Sequence, residues 1–225
     1  MSGENMAKEK RIRPDFSDFV VHFTTNRKPC GDNSDQGDER NGLIKGDAYS
    51  CLENILKTGE VWATTMPWTN QKAVCFTECT WASLLDHANH YSPFGIGFSK
   101  AFLFACGGGP AIYLRADLYD KQKKAGGFES NLHSFITPFW PFYAPKPHRD
   151  RYYGGKSGID YAHEREWRVP HDVKFTASKV AFVIVDKYED MAKLPKAVKD
   201  AIGREKFLIM SNYRKVEEFW PTHLV

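Results

Sequence analysis

The sequence predicts an α+β fold, because strand-like and helix-like segments are dispersed along it without the regular alternation of a parallel α/β protein. Three observations carry this. Val180-Ala181-Phe182-Val183-Ile184-Val185 is almost wholly apolar, the pattern of a strand covered on both faces. Phe19-Val20-Val21-His22-Phe23-Thr24 and Ala73-Val74-Cys75-Phe76-Thr77 are rich in β-branched and aromatic residues, which suit a pleated, half-buried surface. Between them, Leu52, Ile55 and Leu56 recur at helical spacing, and Gly59 follows as a stop.

Residues 1–18 read as a flexible polar tail and 19–225 as a single domain, since 225 residues with 42% hydrophobic content suffice for one substantial core. The first strand, 19–24, leads into an Asn/Asp/Gly/Arg-rich surface loop over 25–46. A helix over 48–58, extended structure over 61–64 and the buried strand 73–77 come next. A helix at 80–90 carries Leu84, Leu85 and Ala88 on one side and delivers Tyr91. Gly95 to Phe98 reads as a strand, 100–106 as a short helix stopped at Gly107-Gly108-Gly109, and 110–114 as another strand. The run 117–140 reads as mainly helix broken at Gly126-Gly127. An irregular insertion over 138–158 then feeds a strand at 164–169. After 180–185, a helix at 189–203, a short strand at 206–210 and a Trp-containing tail complete the chain.

A net charge of +3 and a pI near 8.5 suit an anionic ligand or nucleic acid, without the basic density of a DNA-coating protein. The five cysteines form no Cys-x-x-Cys pair, which points to reduced thiols in a cytoplasmic protein. Met1 to Pro14 lacks an apolar h-region, and no stretch approaches the ~18 apolar residues of a membrane span. Neither secretion nor membrane insertion is expected.

Glu164-Arg165-Glu166-Trp167-Arg168-Val169 carries two carboxylates at i and i+2, a spacing that on an extended strand puts both on one face. A carboxylate set against a ribose stabilises the oxocarbenium-like centre formed as a glycosidic bond breaks, and Glu166 fits that role. Tyr91 would stack on a flat heteroaromatic ring, and His22 would bond a ribose hydroxyl. With Phe23, Thr24 and Phe98 beside them, these residues describe a pocket for a nicotinamide dinucleotide. Each also has a plainer reading. A histidine at a strand end is usually a structural hydrogen-bonder, and Glu166 can pair with Arg165, Arg168 or a lysine on a solvated strand.

The strings His22-Phe23-Thr24, Val74-Cys75-Phe76-Thr77-Glu78, Tyr91-Ser92-Pro93-Phe94-Gly95-Ile96-Gly97-Phe98 and Glu164-Arg165-Glu166-Trp167-Arg168 are similar to those of AbiGi-type abortive-infection proteins. Their order resembles the His–Tyr–Glu signature of the ADP-ribosyltransferase superfamily. The resemblance implies a split, bent β-sheet core with flanking helices and NAD as ADP-ribose donor. His22 and Tyr91 would hold NAD, Glu166 would drive bond cleavage, and Glu164 would activate the acceptor. It further implies phage defence by a toxin-like effector, a nucleic-acid acceptor with RNA favoured, and a possible cognate antitoxin. The signature usually reads Tyr-Gly-x-Gly-Ile, whereas Ser92-Pro93-Phe94 here separates Tyr91 from Gly95. A non-catalytic antitoxin or phage-sensing module on a degenerate transferase scaffold is the alternative.

Arg149, Arg151, Tyr152 and Tyr153 combine cations with stackable rings, as a single-stranded nucleic-acid contact requires, just before the acidic strand. The resemblance assigns that segment to acceptor choice. His87, His90, His163 and the Cys75/Cys79 pair match no metal signature, so no metal is expected.

Overall fold

The computed structural model describes residues 16–25, 47–66, 68–78, 80, 83–141 and 160–219. The predicted tail up to residue 15, most of the 25–46 loop, and the insertion bearing Arg149, Arg151, Tyr152 and Tyr153 lie outside the described residues.

Local chemistry sets the first helix, α1 (Ala48–Thr58). The Asp47 carboxylate accepts the Ser50 N–H at 2.8 Å to cap its start, and Gly59, at a left-handed φ of 68°, ends it by donating to the Ile55 carbonyl. Leu52, Ile55 and Leu56 form the buried stripe that the spacing predicts. The other helices are α2 (Leu84–His90), α3 (Lys100–Ala105), α4 (Ala116–Lys124), α5 (Ser130–His133), α6 (Tyr188–Lys193), α7 (Lys196–Ile202) and α8 (Met210–Phe219).

The strands are β1 (Phe19–Phe23), β2 (Glu60–Val61), β3 (Thr64–Thr65), β4 (Lys72–Thr77), β5 (Gly95–Ser99), β6 (Gly109–Pro110), β7 (Ile112–Arg115), β8 (Ile136–Phe139), β9 (Glu166–Val169), β10 (Val173–Lys174), β11 (Val180–Val185) and β12 (Phe207–Ile209). Eight of them make one mixed sheet in the order β12-β11-β5-β1-β4-β9-β6, with β3 alongside β4. Its described pairs are antiparallel except β11 with β12. Two small sheets, β2 with β10 and β7 with β8, stand apart from it. Helices flank the sheet, and the architecture is α+β.

Strand alternation splits the interior into two layers. Val20, Val74, Phe76, Ile96, Phe98, Val169, Val183 and Val185 point to the larger core, where α1 packs. Val21, Phe23 and Ile184 point to the other face, under Leu84 and Ala88 of α2 and Met210 and Tyr213 of α8. Gly97 has no room for a side chain, since a Cβ there would sit 2.6 Å from the Phe182 ring. The registers Val21↔Thr77 and Thr77↔Glu166 put Glu166, and therefore Arg168, on the α2 side of the sheet.

Four elements depart from the sequence reading. The 117–140 run is not mainly helical: α4 stops at Gly126 and Gly127, both at positive φ, and only a single turn follows before β8 pairs in parallel with β7. That distant pairing overrides a local pattern too short to announce a strand. The 189–203 helix is two helices, because Pro195, lacking an N–H, begins α7 afresh. The predicted tail begins with α8, anchored by Met210 and Tyr213 one turn apart. The acidic strand starts at Glu166, for Glu164 closes a 3-10 turn (Ala162–Glu164) and Arg165 takes a left-handed φ of 45°.

Candidate active site

The two carboxylates therefore meet through a turn, and not along one strand face. Glu164 and Glu166 are nonetheless both buried, at 7% and 8% exposure, on either side of Arg165. The turn is held by the Glu164 N–H on the Tyr161 carbonyl and by the Glu78 N–H on the Glu164 carbonyl, while the Glu166 carbonyl accepts from Ala111 at 2.7 Å. The pair thus sits where β4, β6 and β9 come together.

Tyr91 arrives from the end of α2, its N–H on the His87 carbonyl at 2.9 Å. Its ring lies parallel to Phe23 at 5.8 Å, and the His90 ring meets it edge-on at 4.9 Å. Its hydroxyl donates to Glu164 Oε1 in a short hydrogen bond. Burial, reinforced by that bond and by the charge of Glu164, pushes the Tyr91 phenol well up, so it makes the bond as a neutral hydroxyl. Burial also raises the Glu164 carboxyl above its ordinary value. The Tyr91 bond works against that rise, and the neighbouring Glu166 adds to it.

Glu166 has a different environment. Arg168 Nε donates to its Oε1 at 2.8 Å and Arg168 Nη2 to its Oε2 at 2.7 Å, a bidentate fork closed beneath the protein surface. The remaining guanidinium donors go to the Ser134 and Ile136 carbonyls, each at 3.1 Å, and to Thr137 Oγ1. All five N–H groups are thereby used. Burial opposes the charge on Arg168, yet the hydrogen bonds and charge of Glu166 outweigh it and raise its pKa. The sequence reading of a solvated ion pair is thus replaced by a buried one. Cys75, opposite Arg168 in the register, has its thiol pushed up by burial and by Glu166, which favours the neutral thiol over the thiolate.

The remaining predicted residues are not all brought to this place. His22 alternates with Val21 and Phe23, so it lies on the opposite face, its Nδ1 2.9 Å from the Cys75 carbonyl and its ring against Phe76. Phe98 is fully buried in the larger core, against Phe76, Phe102 and Phe175. Thr24 donates its hydroxyl to the Ala48 carbonyl at 2.7 Å, joining β1 to α1, and Phe23 acts as the platform under Tyr91.

Sequence reasoning missed Tyr113 and Thr137. The Tyr113 phenol donates to the Tyr161 carbonyl at 2.9 Å and is raised by burial and by the charges of Glu166 and Glu164, which places it beside the acidic pair. Tyr113 lies in the strand expected over 110–114 and Thr137 in the unforeseen β8, and only the pairing of the two strands, which the sequence does not mark, brings both to the acidic pair. Among the described residues no group of three or more His, Cys, Asp or Glu side chains is arranged to hold a metal ion, and no helix is long and apolar enough to cross a membrane.

Tyr91→Phe removes the one hydroxyl that lowers the Glu164 pKa while leaving burial to raise it. A carboxyl 13C titration is expected to place the Glu164 midpoint at higher pH in the variant than in the native chain; an unchanged midpoint would show that the bond does not act on Glu164. Compared with known proteins, the chain matches no family model, no curated protein and no solved structure.

Proposed function

We propose that the chain is an NAD-dependent ADP-ribosyltransferase, an anti-phage effector that transfers ADP-ribose to a macromolecular acceptor, with RNA favoured. The observation that carries the reading is the pair of buried carboxylates in unlike surroundings, one pinned by a guanidinium fork and one desolvated beside a tyrosine donor. A fixed carboxylate suits electrostatic stabilisation, which needs no proton transfer. A carboxyl with a raised pKa suits proton traffic.

In this scheme the bond between the nicotinamide nitrogen and ribose C1 breaks, and its electron pair leaves with nicotinamide. Glu166 stabilises the oxocarbenium left behind through the lone pairs that Arg168 does not occupy. The acceptor's nucleophilic atom bonds to C1, and ionised Glu164 takes its proton. Tyr91 contributes by donating to Glu164, one face of its ring being already on Phe23. His22 is left out of the donor contacts because its ring turns to the other face of the sheet. In the same reading, the main sheet with its two small satellites is the split core of a transferase, and Arg149, Arg151, Tyr152 and Tyr153 choose the acceptor.

A second reading has its own support. The fork that occupies both Glu166 oxygens is equally what a structural ion pair would show, as in a non-catalytic antitoxin or phage-sensing module. Incubating the purified protein with NAD labelled in the ADP-ribose portion, and with separate pools of RNA, DNA and protein, separates the two. A transferase labels one pool, RNA by expectation. Label in none of the three is the result for a binding module.

A further inference from the structure

Glu78 follows β4 directly and takes no part in the scheme above, yet it is 7% exposed and touches three separate segments. Its Oε2 pairs with Lys100 at 2.7 Å, and its Oε1 accepts the Ser17 N–H at 3.0 Å and faces Arg165 Nη1 at 3.6 Å. Its own N–H donates to the Glu164 carbonyl at 3.2 Å. One buried acid thus grips the turn between the two carboxylates from both its main chain and its side chain.

Arg165 supplies a second, independent observation. With φ of 45° it stands in the left-handed region, where glycine is at ease and a side chain is not. The left-handed step is what lifts Glu164 out of the strand and lets both acids point inward. Glycine at 165 would make the same step without strain, so an arginine there is a local cost that its side chain must offset. One partner of the Arg165 guanidinium is Glu78, whose charge is already met by Lys100, so the charge of Glu78 alone does not call for a second cation.

We infer that Glu78, acting through Arg165, is a positioning residue for the Glu164–Glu166 turn, fixing the two acids relative to each other for the reaction. The inference rests on the transferase reading. Neither residue touches the reacting atoms, and each works through the turn that carries Glu164 and Glu166.

The test is a double-mutant cycle on Glu78→Gln and Arg165→Gly, with kcat and KM for ADP-ribose transfer and Tm measured on the full chain. Arg165→Gly is expected to keep or raise Tm, because the strain is relieved, while kcat falls on the order of tenfold to a hundredfold, as for a small displacement of reacting groups, and KM for NAD stays near its native value. Glu78→Gln also loses the Lys100 pairing and is expected to lower Tm, so its kcat is read below the transition. The double variant is expected to show no larger a loss of kcat than the greater single loss, since both substitutions break one linkage. Additive losses, an unchanged kcat in Arg165→Gly, or a kcat loss matched by a fall in Tm would overturn the inference and leave the transferase reading standing. A native chain that transfers nothing would overturn both.

Discussion

Arg168→Met is expected to destabilise the fold by about 3–5 kcal/mol, because it strands a buried carboxylate that had both oxygens paired. The Ser134 carbonyl loses its guanidinium donor as well, whereas the Ile136 carbonyl keeps the Trp68 indole N–H at 2.9 Å. For a domain of this size each kcal/mol moves Tm by roughly 2–4 °C, so a drop on the order of 10 °C is expected in a thermal melt. Arg168→Lys should recover only part of it. A lysine carries charge but not the planar fork, and it has three donors for acceptors that take five N–H groups. A loss in Arg168→Met no larger than that of an exposed ion pair, under about 1 kcal/mol, would mean that the guanidinium does not hold Glu166 as described.

Glu164→Gln is expected to divide the two halves of the proposed reaction and to move stability in the opposite direction. With no carboxylate to take the acceptor's proton, ADP-ribose transfer should fall by ~10²–10⁴, the usual contribution of a general base. Cleavage of NAD by water continues, since Glu166 and its fork are untouched. The stability change follows from the raised pKa of Glu164. A group whose folded pKa lies above its unfolded value favours folding fully at pH below the unfolded value, and loses that contribution as pH rises through the folded one. Near neutral pH native Glu164 is therefore a burden that glutamine lifts while still accepting the Tyr91 hydroxyl. The variant should melt higher than the native chain at pH 7, and the advantage should disappear at pH below the ordinary glutamate range. A variant that melts lower at neutral pH, or that transfers at the native rate, would contradict this assignment.

The fold was legible where a local pattern has one solution. Asp47 and Gly59 bracket α1 as cap and stop, and Val180 to Val185 lies between β12 and β5 as its composition requires. It was illegible where the deciding partner is far away, as for β8, which owes its extended form to β7. The site divides the same way. Glu164, Glu166 and Tyr91, which the sequence singles out by residue type and order, are brought to one place, and the i, i+2 spacing of Glu166 and Arg168 gives their shared face. The face of His22 depends on which side of the sheet α2 and the acidic turn occupy, and no residue near His22 encodes that. The left-handed step at Arg165 was hidden for a plainer reason, since glycine or asparagine normally announces it.

That two acids divide one reaction is tested by a single assay: nicotinamide release and ADP-ribose transfer measured together for the native chain, Glu164→Gln and Glu166→Gln, each shown to be folded by its melt. The native chain should do both, Glu164→Gln should release nicotinamide without transfer, and Glu166→Gln should do neither. No release by the native chain, or release at the native rate by folded Glu166→Gln, would contradict it.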